Sequence, residues 1–407
     1  MKNKLLFIIL FFVIFSTKAQ VKILFDATKA EMAGNADWVI DADVHNLKAG
    51  SGGVMVTGGS DSNPQRIPTP AQSGITSTTS ETYWQGALSA WAVDLVKLGY
   101  SVETLPYDGK ITYGDLSNIQ DLANYKVIVI DEPNIKFTLT EKNALVSFVQ
   151  NGGGLFMVSD HNVSDRNNSG IDSPSIWNDI FTTNTVKTNP FGITFDFANF
   201  SQTTTNFANL PNNPILHGTS GTPTQMQYSN GTSMTLNTTN NSSVQGLIFT
   251  TGSSTTGLVK AMFATATYGA GKVCALGDSS VPDDGTGDSG DSLYNGYTGD
   301  ASGNHKPLLL NAIVWLATST TLIVNDLAKS ETDLQIFPNP ISDYIYIKNN
   351  KKNSENYTVN ISDATGKLVF SKVINSNKID IKSLRSGLYY LTLKTETALQ
   401  HFKVIKK

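Results

Sequence analysis

With 407 residues, 40% of them apolar, the chain is long enough for two or three domains, one of them with a sizeable core. Its formal net charge of −4 conceals an uneven division: residues 335–407 carry 12 Lys/Arg against 5 Asp/Glu, a net of +7, while residues 20–334 carry 15 against 29, a net of −14. An acidic main domain is a poor candidate for holding nucleic acid through its phosphates, and the single cysteine, Cys274, excludes an internal disulfide.

The chain opens with Lys2 and Lys4, an apolar run from Leu5 to Phe15, and small residues at Thr17 and Ala19. That is the pattern of a secretory signal peptide over residues 1–19, cleaved before Gln20. The run is too short for a comfortable membrane span, and no other segment could cross a bilayer. A first buried strand is expected at Val21–Phe25, ending in Asp26. Residues 50–80, rich in Gly, Ser, Thr and Pro, read as an irregular excursion. A helix is expected from Ser80 to Leu98, with Trp84, Leu88, Trp91, Leu95 and Leu98 on its core face and Gly99 as its stop.

Strands follow at Tyr100–Leu105 and Lys126–Ile130, the second leading into Asp131-Glu132-Pro133-Asn134. Thr140–Gln150 reads as an amphipathic helix, with Thr138 and Glu141 at capping-box spacing. Gly152, Gly153 and Gly154 stop it and turn the chain into a short buried strand, Leu155–Val158. That strand delivers Ser159, Asp160 and His161, followed by a polar loop with Asp165, Arg166, Asn167 and Asp172. A short helix is expected at Pro174–Phe181, N-capped by Ser173. Residues 182–256, rich in Thr, Asn and Ser, read as a β-rich insertion or long loops. A strand at Leu258–Ala266, a Gly269-Ala-Gly271 turn and a strand at Val273–Leu276 come next, with Cys274 as a small core residue. This last strand ends Gly277-Asp278-Ser279-Ser280, an acidic loop with Asp283 and Asp284 follows, and His305 precedes a closing helix at Pro307–Leu316.

Strands alternating with helices indicate an α/β domain: an open, mostly parallel, flavodoxin-like sheet with helices on both faces. Ligands in such sheets sit beyond the carboxyl ends of the strands. Four strands end in acidic residues, Asp26, Asp131/Glu132, Asp160 and Asp278, and parallel strands place those ends on one edge. The expected catalytic pocket therefore combines Asp26, Glu132, Asp160, His161 and Asp278. There His161 could serve as general base, metal ligand or orienting donor. Asp165, Asn167 and Ser169 with Gly170 match the front half of a calcium loop, but its twelfth position is Ile176 rather than a carboxylate. A calcium or magnesium ion would be held by Asp165, Asn167 and Asp172 with help from Asp283 and Asp284; no nucleotide cofactor is expected. Ser279 and Ser280 lack the surroundings of a nucleophile elbow.

Paired carboxylates and a histidine can activate water and protonate a leaving group. The expected function is a hydrolase, metal-assisted or not, acting on an extracellular sugar-containing or polymeric substrate. The alternative is a non-catalytic surface protein whose acidic edge binds calcium and a glycan.

Gly152-Gly153-Gly154 with His161, Gly271-Lys272-Val273 with Leu276-Gly277-Asp278, and Leu309 with Trp315 resemble the class I glutamine amidotransferase-like fold, particularly its ThuA-like branch, across residues 20–318. In true amidotransferases a nucleophilic cysteine sits in a tight elbow after the strand equivalent to Leu155–Val158. Asp160-His161 stands there in this chain, so the resemblance implies the fold and argues against glutamine hydrolysis.

Residues 319–334 read as a linker, and the remainder is different in kind. Phe337-Pro338-Asn339-Pro340, alternating Tyr344-Ile345-Tyr346-Ile347-Lys348, Val359 to Asp363 with Gly366-Lys367, Ser386-Gly387-Leu388-Tyr389-Tyr390-Leu391 and a terminal Lys403 to Lys407 are short period-two strands separated by Asn/Gly turns. They make a small all-β sandwich. The pattern resembles the type A C-terminal sorting domain of the type IX secretion system of Bacteroidetes. The resemblance implies recognition by the secretion machinery, passage through the periplasm and outer membrane, removal of residues 335–407, and release or attachment at the outer-membrane surface.

Overall fold

The computed structural model describes residues 20–40, 47–59, 70–287, 290–299, 305–318, 334–349, 356–363, 368–394 and 399–407. It forms two compact units, Met1–Leu322 and Ile323–Lys407. The expected signal peptide (1–19) and all but the last residue of the expected linker (319–333) lie outside the described residues. Among the described residues no helix is long and apolar enough to cross a membrane.

In the first unit the chain runs through β1 (Lys22–Asp26), β2 (Leu47–Ala49), β3 (Met55–Thr57), α1 (Ser89–Lys97), β4 (Ser101–Leu105), β5 (Val127–Asp131), α2 (Leu139–Gln150) and β6 (Gly154–Val158). It continues through α3 (Ser173–Thr183), β7 (Ile193–Phe195), β8 (Phe200–Thr204), β9 (Met226–Gly231), β10 (Met234–Leu236) and β11 (Gln245–Phe249). β12 (Ala261–Tyr268), β13 (Gly271–Leu276), α4 (Gly296–Gly299) and α5 (His305–Ala317) complete it. The central sheet is ordered β4-β1-β5-β6-β13-β12-β10-β7, with β11 also on β12. β4, β1, β5, β6 and β13 are mutually parallel. Counted in chain order these five stand 2-1-3-4-5. From β12 onward the pairing is antiparallel.

Period two sends alternate residues of β1, β5, β6 and β13 to opposite faces of the sheet, both of them covered, while β4 at the sheet edge keeps Ser101 and Glu103 only partly buried. Phe25, Val127, Val129, Phe156, Val158, Cys274 and Leu276 face one apolar cluster with α1 and α5. Leu24, Ile128, Ile130, Leu155, Met157, Val273 and Ala275 face the other, with α2 and α3. Trp91 of α1 packs edge-on against Phe25 and Phe156, with ring centroids 5.6 and 5.2 Å away. The expected helices thus lie on both faces. Gly271 permits the tight return from β12, since a Cβ there would stand 1.9 Å from the carbonyl oxygen of Val149 at the end of α2.

Several expectations are corrected. The helix expected over Ser80–Leu98 starts only at Ser89, because Gly86 takes a φ of 136° that no helix continues through, and residues 81–83 form a single tight turn. Leu98 is 48% exposed rather than core. Asp172, not Ser173, occupies the N-cap position of α3, without a side-chain cap bond. Residues 182–256 hold five strands: β7, β10 and β11 join the main sheet, and β8 and β9 pair apart from it.

The second unit holds a three-stranded antiparallel sheet, β14 (Leu334–Phe337), β15 (Tyr344–Asn349) and β18 (Lys378–Asp380), in the order β14-β15-β18. A four-stranded antiparallel sheet is formed by β16 (Tyr357–Asp363), β17 (Leu368–Ile374), β19 (Gly387–Lys394) and β20 (Leu399–Lys406), in the order β17-β16-β19-β20. Alternate residues of both sheets, among them Ile345, Ile347, Val359, Ile361, Leu391 and Leu393, bury one common core.

Candidate active site

β5, β6 and β13 are adjacent and parallel, so the residues after them converge. Glu132 follows β5 directly and is fully buried. Its Oε1 accepts from Arg166 Nε at 2.6 Å, and its Oε2 accepts from Ser279 Oγ at 2.8 Å and Trp38 Nε1 at 2.5 Å. Arg166 also donates to Asp160 Oδ2 at 3.2 Å and to Asn35 Oδ1 at 2.8 Å, and its guanidinium lies over the Trp38 ring. Asp160 Oδ2 stands 2.9 Å from His161 Nδ1, an ion-pair contact. The result is a chain of polar contacts, Ser279–Glu132–Arg166–Asp160–His161. Its buried end is fixed, and its outer end keeps 17% of the His161 side chain exposed.

Backbone geometry marks the same place. Glu132 has a φ of 40°, a conformation that costs a non-glycine residue about 1–3 kcal/mol and is retained only where the surroundings enforce it. A sharp turn therefore follows β5, and a second positive φ, 72° at Val163, follows β6 two residues beyond His161.

Too many carboxyl groups share this edge for all to be ionised. Burial and the neighbouring Asp160 push Glu132 up to about 7, against the opposing pull of Arg166 and Ser279. Burial, then Asp160, raises Asp278 well above the usual carboxyl range, although backbone N–H groups of Ser280 and Ser229 bond its oxygens. Asp131, at the end of β5, is 1% exposed, neither of its oxygens has a hydrogen-bond partner among the described residues, and burial plus Glu132, Asp160, Asp283 and Asp278 raise its pKa strongly. Burial alone would lower the pKa of His161, but Asp160 and Glu132 outweigh it and hold the imidazole above its ordinary value.

Four of the five residues expected in the pocket, Glu132, Asp160, His161 and Asp278, are brought together. Asp26 is directed elsewhere. It shares a buried pair with Glu31: Asp26 Oδ1 accepts from Thr28 N at 3.1 Å, Glu31 Oε2 accepts from Lys29 N at 2.7 Å, and the remaining oxygen of each meets no other donor among the described residues. Burial raises both pKa values, and Asp26 raises that of Glu31 further. The folded pair therefore holds a proton the unfolded chain would release, so its stability contribution is present at low pH and lost as pH rises above the ordinary carboxyl range. Glu31→Gln, whose amide can donate to Asp26, is expected to stabilise the protein at pH 8 by roughly 1–3 kcal/mol and to do little at pH 4. Urea unfolding at both pH values checks this, and an unchanged pH slope would refute it.

The expected cation ligands bond to backbone groups, with Asn167 Oδ1 as the exception. Asp165 accepts from Ser169 N and Gly170 N, both at 2.7 Å. Asp172 accepts from Val163 N at 2.9 Å and Asp165 N at 3.3 Å. Asn167 Nδ2 ties the carbonyls of Gly53 and Asn134, while its Oδ1 is buried without a partner. Asp283 accepts from Gly285 N and Tyr294 N, and Asp284 from Thr286 N and from Ala90 N in the first turn of α1. Among the described residues no group of three or more His, Cys, Asp and Glu side chains is arranged to hold a metal ion. His305 is held by backbone at both ring nitrogens, accepting from Gln227 N and facing Gly296 O at 2.9 Å.

Arg166 is the cation that neutralises the clustered carboxylates, a part the sequence left open between Arg166 and Lys29; Lys29 Nζ instead bonds Glu141 at 2.7 Å. Trp38 and Tyr294 were not anticipated as site residues. Tyr294 is 42% exposed, and its phenol is within electrostatic reach of Arg166, Asp160, Asp278 and Glu132. Arg166 had a usable signal, since the chain contains three arginines and one of them sits in this acidic loop.

Residues 335–407 match the family model of the secretion system C-terminal sorting domain. The protein is exported. Its sorting domain directs it through the type IX secretion system, with whose machinery it interacts, and makes it a secreted or cell-surface protein. No curated protein matches the chain. Among solved structures, the exported protein is similar to the mmIFT52 N-terminal domain, at 13% identity and a TM-score of 0.42 over 73% of this chain and 97% of that one. It is also similar to a putative ThuA-like protein from Parabacteroides merdae, at 12% identity and a TM-score of 0.34 over 74% and 90%. A third likeness is to PorZ, a surface component of the type IX secretion system of Porphyromonas gingivalis, at 15% identity and a TM-score of 0.16 over 20% of this chain and 12% of that one. These likenesses are too distant to bear on activity.

Proposed function

We propose that the edge beyond β5, β6 and β13 is a hydrolytic site on a flavodoxin-like sheet, acting outside the cell on a sugar-containing or polymeric substrate. The Asp160–His161 pair carries this reading. Asp160, 2.9 Å from Nδ1, favours the tautomer with a proton there, which leaves Nε2 as the base. Arg166 and Glu132 hold Asp160 in place. His161 would take a proton from water as the oxygen attacks the substrate, then return it to the leaving group. The 2-1-3-4-5 strand order, which is the flavodoxin-like order, supports placing a ligand at this edge. An amidotransferase-like ancestry without glutaminase activity fits Cys274, whose thiol is fully buried inside β13 and raised far above its ordinary pKa by that burial. The test is a panel of extracellular glycosides and esters offered to the wild type and to Asp160→Asn: turnover of at least one compound, lost in the variant, is expected.

A divalent-cation site with glycan binding is the second reading, favoured by the buried, unpartnered Oδ1 of Asn167. It expects calcium or magnesium to raise the melting temperature, and Asp165→Ala to remove that rise. Should calcium, magnesium and chelator all leave wild-type melting unchanged, the cation reading fails.

A further inference from the structure

The sorting unit distributes its exposed apolar side chains unevenly. β16 and β19 alternate buried and open positions, whereas β17 has no fully buried residue, and its Leu368, Val369 and Val373 are 55%, 37% and 62% exposed. β17 is also an edge, pairing with β16 and with no other strand among the described residues. The opposite edge of that sheet is covered over its last residues. Ile341 bridges to β20, exchanging backbone bonds with Ile405 and Lys407, and the Asn339 side chain bonds Lys403 O and Ile405 N. In the three-stranded sheet the edges are only four and three residues long. β17 is thus a seven-residue, open, apolar edge, which folded proteins normally cover or blunt because it templates pairing with another strand.

A groove of about 330 Å³ runs between β17 and β18, lined by Phe370, Val373, Ile374 and Ile379, with two cations, Lys372 and Lys378, against one carboxylate, Asp380. Lys372 stands opposite the buried Val359 in the strand register. A strand added to β17 would partly desolvate that ammonium, so only an incoming strand with a carboxylate for it is well accommodated. The surplus of cations over residues 335–407 favours the same sign of partner.

We infer that β17 is the surface by which this domain is recognised, and that its partner is an extended, apolar strand bearing carboxylates, presented by the secretion machinery. Main-chain bonds along β17 supply affinity, and Lys372 with Lys378 selects for acidic side chains. The inference rests on the sorting-domain match and is independent of the hydrolase reading.

The experiment uses the full chain in a host that secretes it, comparing the wild type with Val373→Lys, Lys372→Glu, Lys372→Arg and, on the exposed face of β19, Tyr390→Lys. Cell-surface and medium fractions are quantified against periplasm, alongside melting temperature and oligomeric state of each purified chain. Lys372→Glu and Val373→Lys are expected to lower export at least tenfold with wild-type melting, while Lys372→Arg and Tyr390→Lys export normally. Lys372→Glu exchanges one exposed charged side chain for another, so it keeps the test decisive if Val373→Lys fails to fold. Normal export of Lys372→Glu, or equal loss in Tyr390→Lys, overturns the proposal. A change in oligomeric state with export intact would make β17 a self-association edge and overturns it too.

Discussion

His161→Ala is expected to lower turnover by about 10²–10⁴-fold on any compound the wild type hydrolyses, with substrate binding within a few-fold and melting unchanged. The imidazole is the outermost member of the polar chain, and its partner Asp160 keeps Arg166, so its removal leaves no buried group orphaned. A structural histidine such as His305, held by backbone at both nitrogens, would instead cost stability when removed. The pH profile adds a second readout. Neutral His161 is the base, and Asp160 with Glu132 raises its pKa, so the alkaline-rising limb should lie above the ordinary histidine value. Asp160→Asn removes the larger of those two influences and should move the limb to lower pH as well as reducing its height. Loss of binding with unchanged turnover number, or a limb that ignores Asp160, would identify the edge as a binding surface.

The sequence revealed the strand ends better than it revealed what the side chains do there. Runs such as Val127–Ile130 and Leu155–Val158 are apolar at every position, and a strand buried on both faces has few other ways to look. Glycines and a capping box bounded α2, so β5, α2 and β6 were readable, and with them the meeting of Glu132, Asp160 and Asp278. Side-chain direction beyond a strand end is set by the loop, and that was not readable. Asp26 is taken up by Glu31 and Thr28. Asp165 has the spacing of a calcium loop, but the same spacing lets it accept two backbone N–H groups of its own turn. β7 and β10 are three-residue strands in Thr- and Asn-rich sequence, identified by neighbours distant in the chain rather than by any local period.

Arg166→Met is expected to destabilise the first unit by about 3–5 kcal/mol at pH 8, a large part of the stability an ordinary domain possesses. The guanidinium is the only cation bonded to Glu132 and Asp160 among the described residues apart from His161, and both carboxyls are essentially buried. Methionine matches much of the apolar stem lying over Trp38 but leaves two buried acids facing one another. The pH dependence has a definite sign. Burial and Asp160 already raise Glu132 to about 7, so in the wild type this group's contribution to stability is greatest below the ordinary carboxyl value and is lost as pH rises through 7. Removing Arg166, which pulls that pKa down, raises it further and makes the loss at alkaline pH steeper. At pH 5 Glu132 is protonated with or without the arginine, and the variant should approach the wild type to within roughly 1–2 kcal/mol, the remainder being the lost hydrogen bonds. Adding Glu132→Gln to Arg166→Met should recover stability at pH 8, because a neutral amide can still accept from Trp38 and Ser279. Chemical unfolding of the three variants at pH 5 and pH 8 decides it: a cost of Arg166→Met that is the same at both pH values would mean that the arginine acts by packing rather than by compensating the buried carboxyls.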